Sequence, residues 1–154
     1  MANSRNDSVP KRLLLVEPDA AVSQWLRPTF DRIAKATICG DFLAARSQLL
    51  SAVPDILVTN LRLGEYNGLH LVLLATSDRG VTRSVIYSDR PDPYLIREAQ
   101  NLGGFFERTE RLPYALPGYV HFALPEKDRR EASRYDRRAA FRGGRRNADV
   151  AISG

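Results

Sequence analysis

Asn60 is the side chain on which any chemistry of this sequence turns. It closes the run Ile56, Leu57, Val58, Thr59 within residues 54–68, PDILVTNLRLGEYNG, which begins at the turn residues Pro54 and Asp55 and ends at Asn67 and Gly68. A short, continuous, β-rich run between turn residues reads as a strand buried on both faces of a parallel sheet. Asn60 then stands at the carboxyl end of that strand, the edge of an open α/β sheet where ligands and chemistry collect. A carboxamide at that position can hydrogen-bond, but it is neutral and is not a competent nucleophile. Glu17 and Asp19 follow the first apolar run and Ser88 follows the fourth. Taken alone, Asn60 reads as a polar strand terminus bonding loop amides, the two acids as helix-start residues favoured by the dipole, and Ser88 as a cap. Cys39 is the one cysteine and reads as a buried, inert thiol, while His70 and His121 are far apart and read as packing or solvent-facing residues. The sequence has no Gly-rich phosphate loop, no cluster of metal ligands and no Ser, His and Asp spacing of a triad, so it does not read as an enzyme.

The elements that must position these residues follow from the apolar pattern. Residues 1–10 are polar, end in Pro10 and read as a flexible leader. Leu13, Leu14, Leu15 and Val16 predict a first buried strand. Asp19 is a candidate N-cap for a helix whose inward face carries Val22, Trp25, Leu26, Phe30 and Ile33, with Pro28 expected to kink or break it near Arg27. A second strand at 36–39 leads through Gly40 and Asp41 into a helix with Phe42, Leu43, Leu49 and Leu50 as inward candidates. After the central strand come an apolar helix at 69–75, a fourth strand at 84–87, and a helix opened by Pro91, Asp92 and Pro93 that runs to Gln100. Gly103 and Gly104 turn the chain into a fifth strand at 105–107. Pro113, Pro117 and Gly118 leave room for at most a short last helix near 118–124. Five strands alternating with helices imply βαβ units with right-handed crossovers, hence an α/β fold.

The 154 residues are enough for one domain, and 44% hydrophobic with 27% charged residues is the composition of an ordinary globular chain. With no secretory leader and no apolar run approaching the ~18 residues of a membrane span, a cytoplasmic protein without membrane contact is expected. The net charge of +5 is concentrated beyond Pro125, where nine Lys or Arg stand against five acids. That segment, EKDRREASRYDRRAAFRGGRR, has no apolar stripe, so 125–154 reads as a basic, disordered or marginally helical tail after a domain at 11–124. Its FRGGRR piece resembles short Arg and Gly segments that bind RNA backbones. Arg142, Arg145 and Arg146 are therefore candidates for electrostatic binding of nucleic acid or an acidic partner.

The stretch PDILVTNLRLGEYNG also resembles the third strand and following loop of response-regulator receiver domains, the CheY-like family, and the resemblance extends over residues 11–124. It implies a flavodoxin-like, doubly wound, five-stranded parallel sheet of order 2-1-3-4-5. In that family a strand-end Asp accepts a phosphoryl group from a partner histidine kinase, and the matching residue here is Asn60. Glu17 matches the first of the family's two magnesium-holding acids, whereas Pro18 occupies the second place, with Asp19 one residue late. Ser88 matches the Thr or Ser that bonds the phosphoryl group, and Arg108 is the best match to the family Lys. The resemblance thus implies a degenerate phosphoacceptor pocket of Glu17, Asp19, Asn60, Ser88 and Arg108, with weak or absent magnesium binding. The expected function is that of a single-domain pseudo-receiver in two-component-type signalling, a non-enzymatic interaction module whose partner is a histidine kinase or another regulator. The alternatives are nucleic-acid binding through the tail and an unconventional, still phosphorylated regulator. By resemblance the partner surface is the face of the fourth helix, fifth strand and last helix, including Tyr87, Phe105 and residues after Leu112. Asp55 lies roughly 16 Å from Asn60 at ~3.3 Å per strand residue, and Glu65 and Asp89 lack the strand-end placement, so none of them is expected to replace the missing acceptor.

Overall fold

A computed structural model describes residues 9–77, 82–125 and 127–131. The apolar quartets become strands as expected: β1 is Arg12–Val16, β2 Lys35–Cys39, β3 Ile56–Asn60, β4 Arg83–Ser88 and β5 Phe105–Arg108. Helices α1 (Ala20–Ile33), α2 (Phe42–Ser51), α3 (Gly68–Ser77), α4 (Pro93–Asn101) and α5 (Leu112–His121) alternate with them. The strands pair in parallel in the order 2-1-3-4-5, the order that the receiver resemblance implied.

Successive strand residues point to opposite faces, and both faces are covered. Leu14, Val16, Leu57, Ile86 and Phe106 pack against Phe42, Leu49, Leu71 and Ile96 of α2, α3 and α4. Leu13, Leu15, Val58, Val85 and Tyr87 pack against Leu26 and Phe30 of α1 and Leu112 and Leu116 of α5. The expected inward faces were too wide. Trp25 is 50% exposed, and Leu43 and Leu50 are 61% and 66% exposed. At about 100° per residue each lies about 100° or more from the middle of its buried stripe, and Ala45 takes the inward place in α2.

Two proline expectations are corrected. α1 runs unbroken through Pro28. Pro28 and Gln24, whose carbonyl loses its helical donor, are both exposed, so water can serve that carbonyl. α5 is a ten-residue helix beginning at Leu112 rather than a short remnant near 118–124. Pro113 sits in its first turn, where no amide donor is required. Pro117 costs about 3 kcal/mol inside a helix. Burial of Leu112, Leu116, Tyr119 and Val120, at about 1.5–3 kcal/mol for each large apolar side chain, outweighs it. Beyond α5 the ordered contacts extend past the expected end of the domain, because Asp128 is buried and Arg130 is bonded to β5. The rest of the expected tail, with Arg142, Arg145 and Arg146, lies outside the described residues, as does most of the expected leader.

Candidate functional site

Glu17, Asn60 and Tyr87 meet at the carboxyl edge of the sheet. β1 carries Glu17 just past Val16, with the Glu17 N–H donating to the Cys39 carbonyl at 3.0 Å. β3 ends at Asn60, which lies beside Tyr87 in the β3–β4 register. Gly68 fixes the return of the chain: a Cβ there would stand 2.5 Å from the Asn60 carbonyl oxygen, so only glycine lets α3 start this close to the strand end. Between them Arg62–Leu63 pairs with Tyr66–Asn67 in a small hairpin whose turn includes Gly64 at φ 66°. The Tyr66 ring stacks on Phe42 at 4.3 Å, pinning this hairpin to α2.

The Glu17 carboxylate, 3% exposed, is filled from three directions. Asn60 Nδ2 donates to Oε2 at 3.1 Å and approaches Oε1 at 3.4 Å. The Tyr87 hydroxyl donates to Oε2 at 2.5 Å, and the Asp19 N–H donates to Oε1 at 3.0 Å. Asn60 Oδ1 meanwhile accepts the Arg62 N–H at 2.9 Å. This orientation gives both ends of the carboxamide a partner, whereas the reverse would set oxygen against carboxylate and N–H₂ against N–H. Burial, then the charge and hydrogen bond of Glu17, push the Tyr87 hydroxyl well above the usual tyrosine range, so it stays a neutral donor.

The other expected members of the pocket are engaged elsewhere. Asp19 caps α1 by accepting the Ala21 and Val22 N–H groups at 2.8 and 3.4 Å. Ser88 Oγ accepts the Arg90 N–H at 3.0 Å and donates to the Arg90 carbonyl at 3.1 Å. Arg108 lies next to Ser88 in the β4–β5 register and pairs through Nε with Glu110 at 3.0 Å. Its Nη2 is buried without a hydrogen-bond acceptor among the described residues. Asp55 accepts the Arg12 N–H at 2.8 Å at the far end of the sheet, and Glu65 and Asp89 are exposed.

These residues do not fit a magnesium ion. Magnesium wants several hard oxygen ligands in near-octahedral placement. Glu17 already accepts three donors, Pro18 has no side-chain oxygen, Asp19 is turned to α1, and Asn60 shows Glu17 its N–H₂ group. The carboxamide and the tyrosine hydroxyl supply the neutralising hydrogen bonds that a buried carboxylate otherwise needs from a cation.

Tyr87 and Phe105 are corrected as partner-surface residues: they are 0% and 7% exposed. Both point from strands covered on both faces, Tyr87 toward Glu17 and Phe105 edge-on to Tyr119 at 5.6 Å. The strand parity of Tyr87 relative to Asn60 is the signal available in the sequence, since a buried hydroxyl must find an acceptor.

Cys39 is buried, and burial followed by the nearby Asp41 charge raises its thiol pKa, which suits an inert thiol. His70 is exposed and meets Phe42 edge-on at 6.1 Å.

A second polar cluster has no local signature in the sequence. Glu107 Oε1 accepts the Tyr119 hydroxyl at 2.6 Å and Arg130 Nη1 at 2.9 Å. Arg130 also grips Asp128, Nε to Oδ1 at 2.9 Å and Nη2 to Oδ2 at 3.0 Å. Burial alone would raise the Asp128 pKa, but hydrogen bonds from the Arg130 guanidinium and from the Phe106 and Arg130 N–H groups bring it below the usual carboxylate value. Beside the cluster lies an open concavity of about 830 Å³ floored by Phe105, Tyr119, Phe122 and Leu124. It is a different place from the Glu17–Asn60 edge. No helix among the described residues is long and apolar enough to cross a membrane.

Solved response-regulator structures share this architecture. The chain is similar to the signal receiver domain of an HD domain-containing protein from Pseudomonas fluorescens Pf-5, at 20% identity and TM-score 0.67, covering 77% of this chain and 93% of that one. It is similar to a CheY-like receiver domain protein from Methanospirillum hungatei JF-1, at 15% identity and TM-score 0.65 over 70% of this chain and 87% of that one. Against the RcsB response regulator of Salmonella typhimurium the identity is 16% and the TM-score 0.58, over 70% of this chain, which spans 56% of that regulator. No protein-family model matches the sequence, and no curated protein matches it. Likeness at these identities establishes the fold: the chain has the receiver-domain architecture.

Proposed function

We propose that this chain is a receiver-type interaction module of two-component-type signal transduction that works without being phosphorylated at its strand-end position. The observation that carries the reading is the Asn60 to Glu17 hydrogen bond at 3.1 Å. An amide stands where the family has a nucleophilic carboxylate, and it occupies Glu17, the acid matching the family's first magnesium-holding residue. Phosphoryl transfer to an aspartate needs that nucleophile together with a cation to offset charge on the moving group. The Arg108 cation cannot stand in for the missing nucleophile. The module then acts by binding a signalling protein, such as a kinase or another regulator. Tyr94 on α4 and Tyr114 on α5, 70% and 80% exposed, are the aromatic residues best placed to be interface anchors.

Thermal unfolding with and without magnesium tests this reading. The native chain is expected to melt at the same temperature in both, because a ligand stabilises only as far as it binds the folded state. A clear, concentration-dependent rise with magnesium would contradict the reading.

A further inference from the structure

Tyr87 is fully buried, and its ring belongs to the apolar cluster of Leu13, Leu15, Leu26, Phe30 and Leu112. Packing on that side of the sheet therefore fixes where the tip of the side chain stands. The tip reaches the carboxyl edge, where the hydroxyl donates to Glu17 Oε2 at 2.5 Å with the Val16 carbonyl 3.4 Å away. The Tyr87 carbonyl accepts the Leu61 N–H at 2.8 Å, one residue beyond Asn60. Ring and backbone are both held, so the hydroxyl cannot leave Glu17 without unpacking the core.

Oε2 thus accepts two donors from two strands, Asn60 of β3 at 3.1 Å and Tyr87 of β4. Changing Asn60 to an acid would set two hard, charged oxygens side by side, the start of a site for a divalent cation. It would remove only the first donor. The second opposes a cation in charge and in space. Its proton faces the oxygen that a cation would need, and burial with the Glu17 charge keeps it there. Neighbouring ligands of an octahedral magnesium ion, each about 2.1 Å from the metal, stand about 3.0 Å apart. The Tyr87 oxygen, 2.5 Å from Oε2, is too close to be a second ligand and leaves no place for a water on that side.

We infer that Tyr87 excludes divalent cations from Glu17 independently of Asn60, so that an acid at position 60 does not by itself restore a metal site. This rests on the reading of the edge as one that works without phosphorylation. It adds a residue on a third strand that determines which ions the edge rejects.

Thermal unfolding of full-length variants at about pH 8, with and without about 10 mM magnesium, tests the inference. The native chain, Tyr87→Phe and Asn60→Asp are each expected to shift by less than about 1 °C on adding magnesium, and Asn60→Asp/Tyr87→Phe to rise by about 3 °C or more. A tyrosine that only packs would lower the melting temperature of the double variant equally in both buffers, and that result overturns the inference. So does a rise in Asn60→Asp as large as in the double variant; with the native chain unmoved, the proposed function then still stands. A rise in the native chain contradicts both. Should the double variant be unfolded without metal, circular dichroism during a magnesium titration is expected to show it regain helix, and a chain that stays unfolded throughout overturns the inference.

Discussion

Asn60→Asp is expected to destabilise the chain by about 2–3 kcal/mol at pH 8 in metal-free buffer, measured by urea unfolding. The substitution changes one nitrogen to oxygen, yet it converts a donor 3.1 Å from the buried Glu17 carboxylate into a second carboxylate at the same place. A charge-assisted hydrogen bond is lost and a like-charge contact replaces it. Two carboxyl groups this close titrate as a pair, with one proton held well above the ordinary carboxylate range. The sign of the pH dependence follows. A folded-state pKa raised above the unfolded value costs stability while both groups are ionised. That cost diminishes as pH falls through the raised value and vanishes below the unfolded value, near about 4. The gap between native and variant is therefore expected to be widest at pH 8 and to narrow toward pH 5. Equal stability at pH 8 would mean that Asn60 does not serve Glu17 as described.

Arg130→Ala is expected to cost about 2–3 kcal/mol by the same measurement. Removing one partner of a buried ion pair costs about 3–5 kcal/mol when the remaining charge is left in the interior. Two acids are left in this case: the side chains of Asp128 and Glu107 are 2% and 10% exposed. Arg130 itself is 35% exposed, so water screens part of the effect and the lower figure applies. Asp128 has a depressed pKa in the folded chain, so its contribution is present above the ordinary carboxylate value and is lost as pH falls through the folded one. The cost of Arg130→Ala should accordingly shrink below about pH 4. Arg27→Ala is the matching control. Its pair with Asp31 spans 3.6 Å between side chains 65% and 59% exposed, and its loss is expected to cost less than about 0.5 kcal/mol.

The parts of the fold that depend on neighbours in sequence are legible from the residues alone. The quartet LLLV, the run ILVT and the Asp19 cap are local signals, and each forms the element it announces, with Asn60 at its strand end. α5 escapes a local reading because Pro113 and Pro117 are local penalties, while the burial that overrides them comes from the sheet and α1. The resemblance assigns Tyr87 to the partner surface, and its neighbours in sequence do not reveal its acceptor, Glu17, 70 residues away. Asp128 and Arg130 look like part of a solvated charge run because their partners Glu107, Tyr119 and Phe106 are brought to them only by β5 and α5. In each of these places a contact distant in sequence outweighs the local pattern.

The most direct test of a receiver fold that is not phosphorylated at its strand-end position is the intact mass of the purified chain after incubation with a small-molecule phosphodonor and magnesium, with Asn60→Asp treated in parallel. The native chain is expected to keep its own mass, since the amide offers no nucleophile and Glu17 is held by Asn60 and Tyr87. A stoichiometric phosphate adduct on the native chain would contradict the account, because it would show that another residue accepts the phosphoryl group.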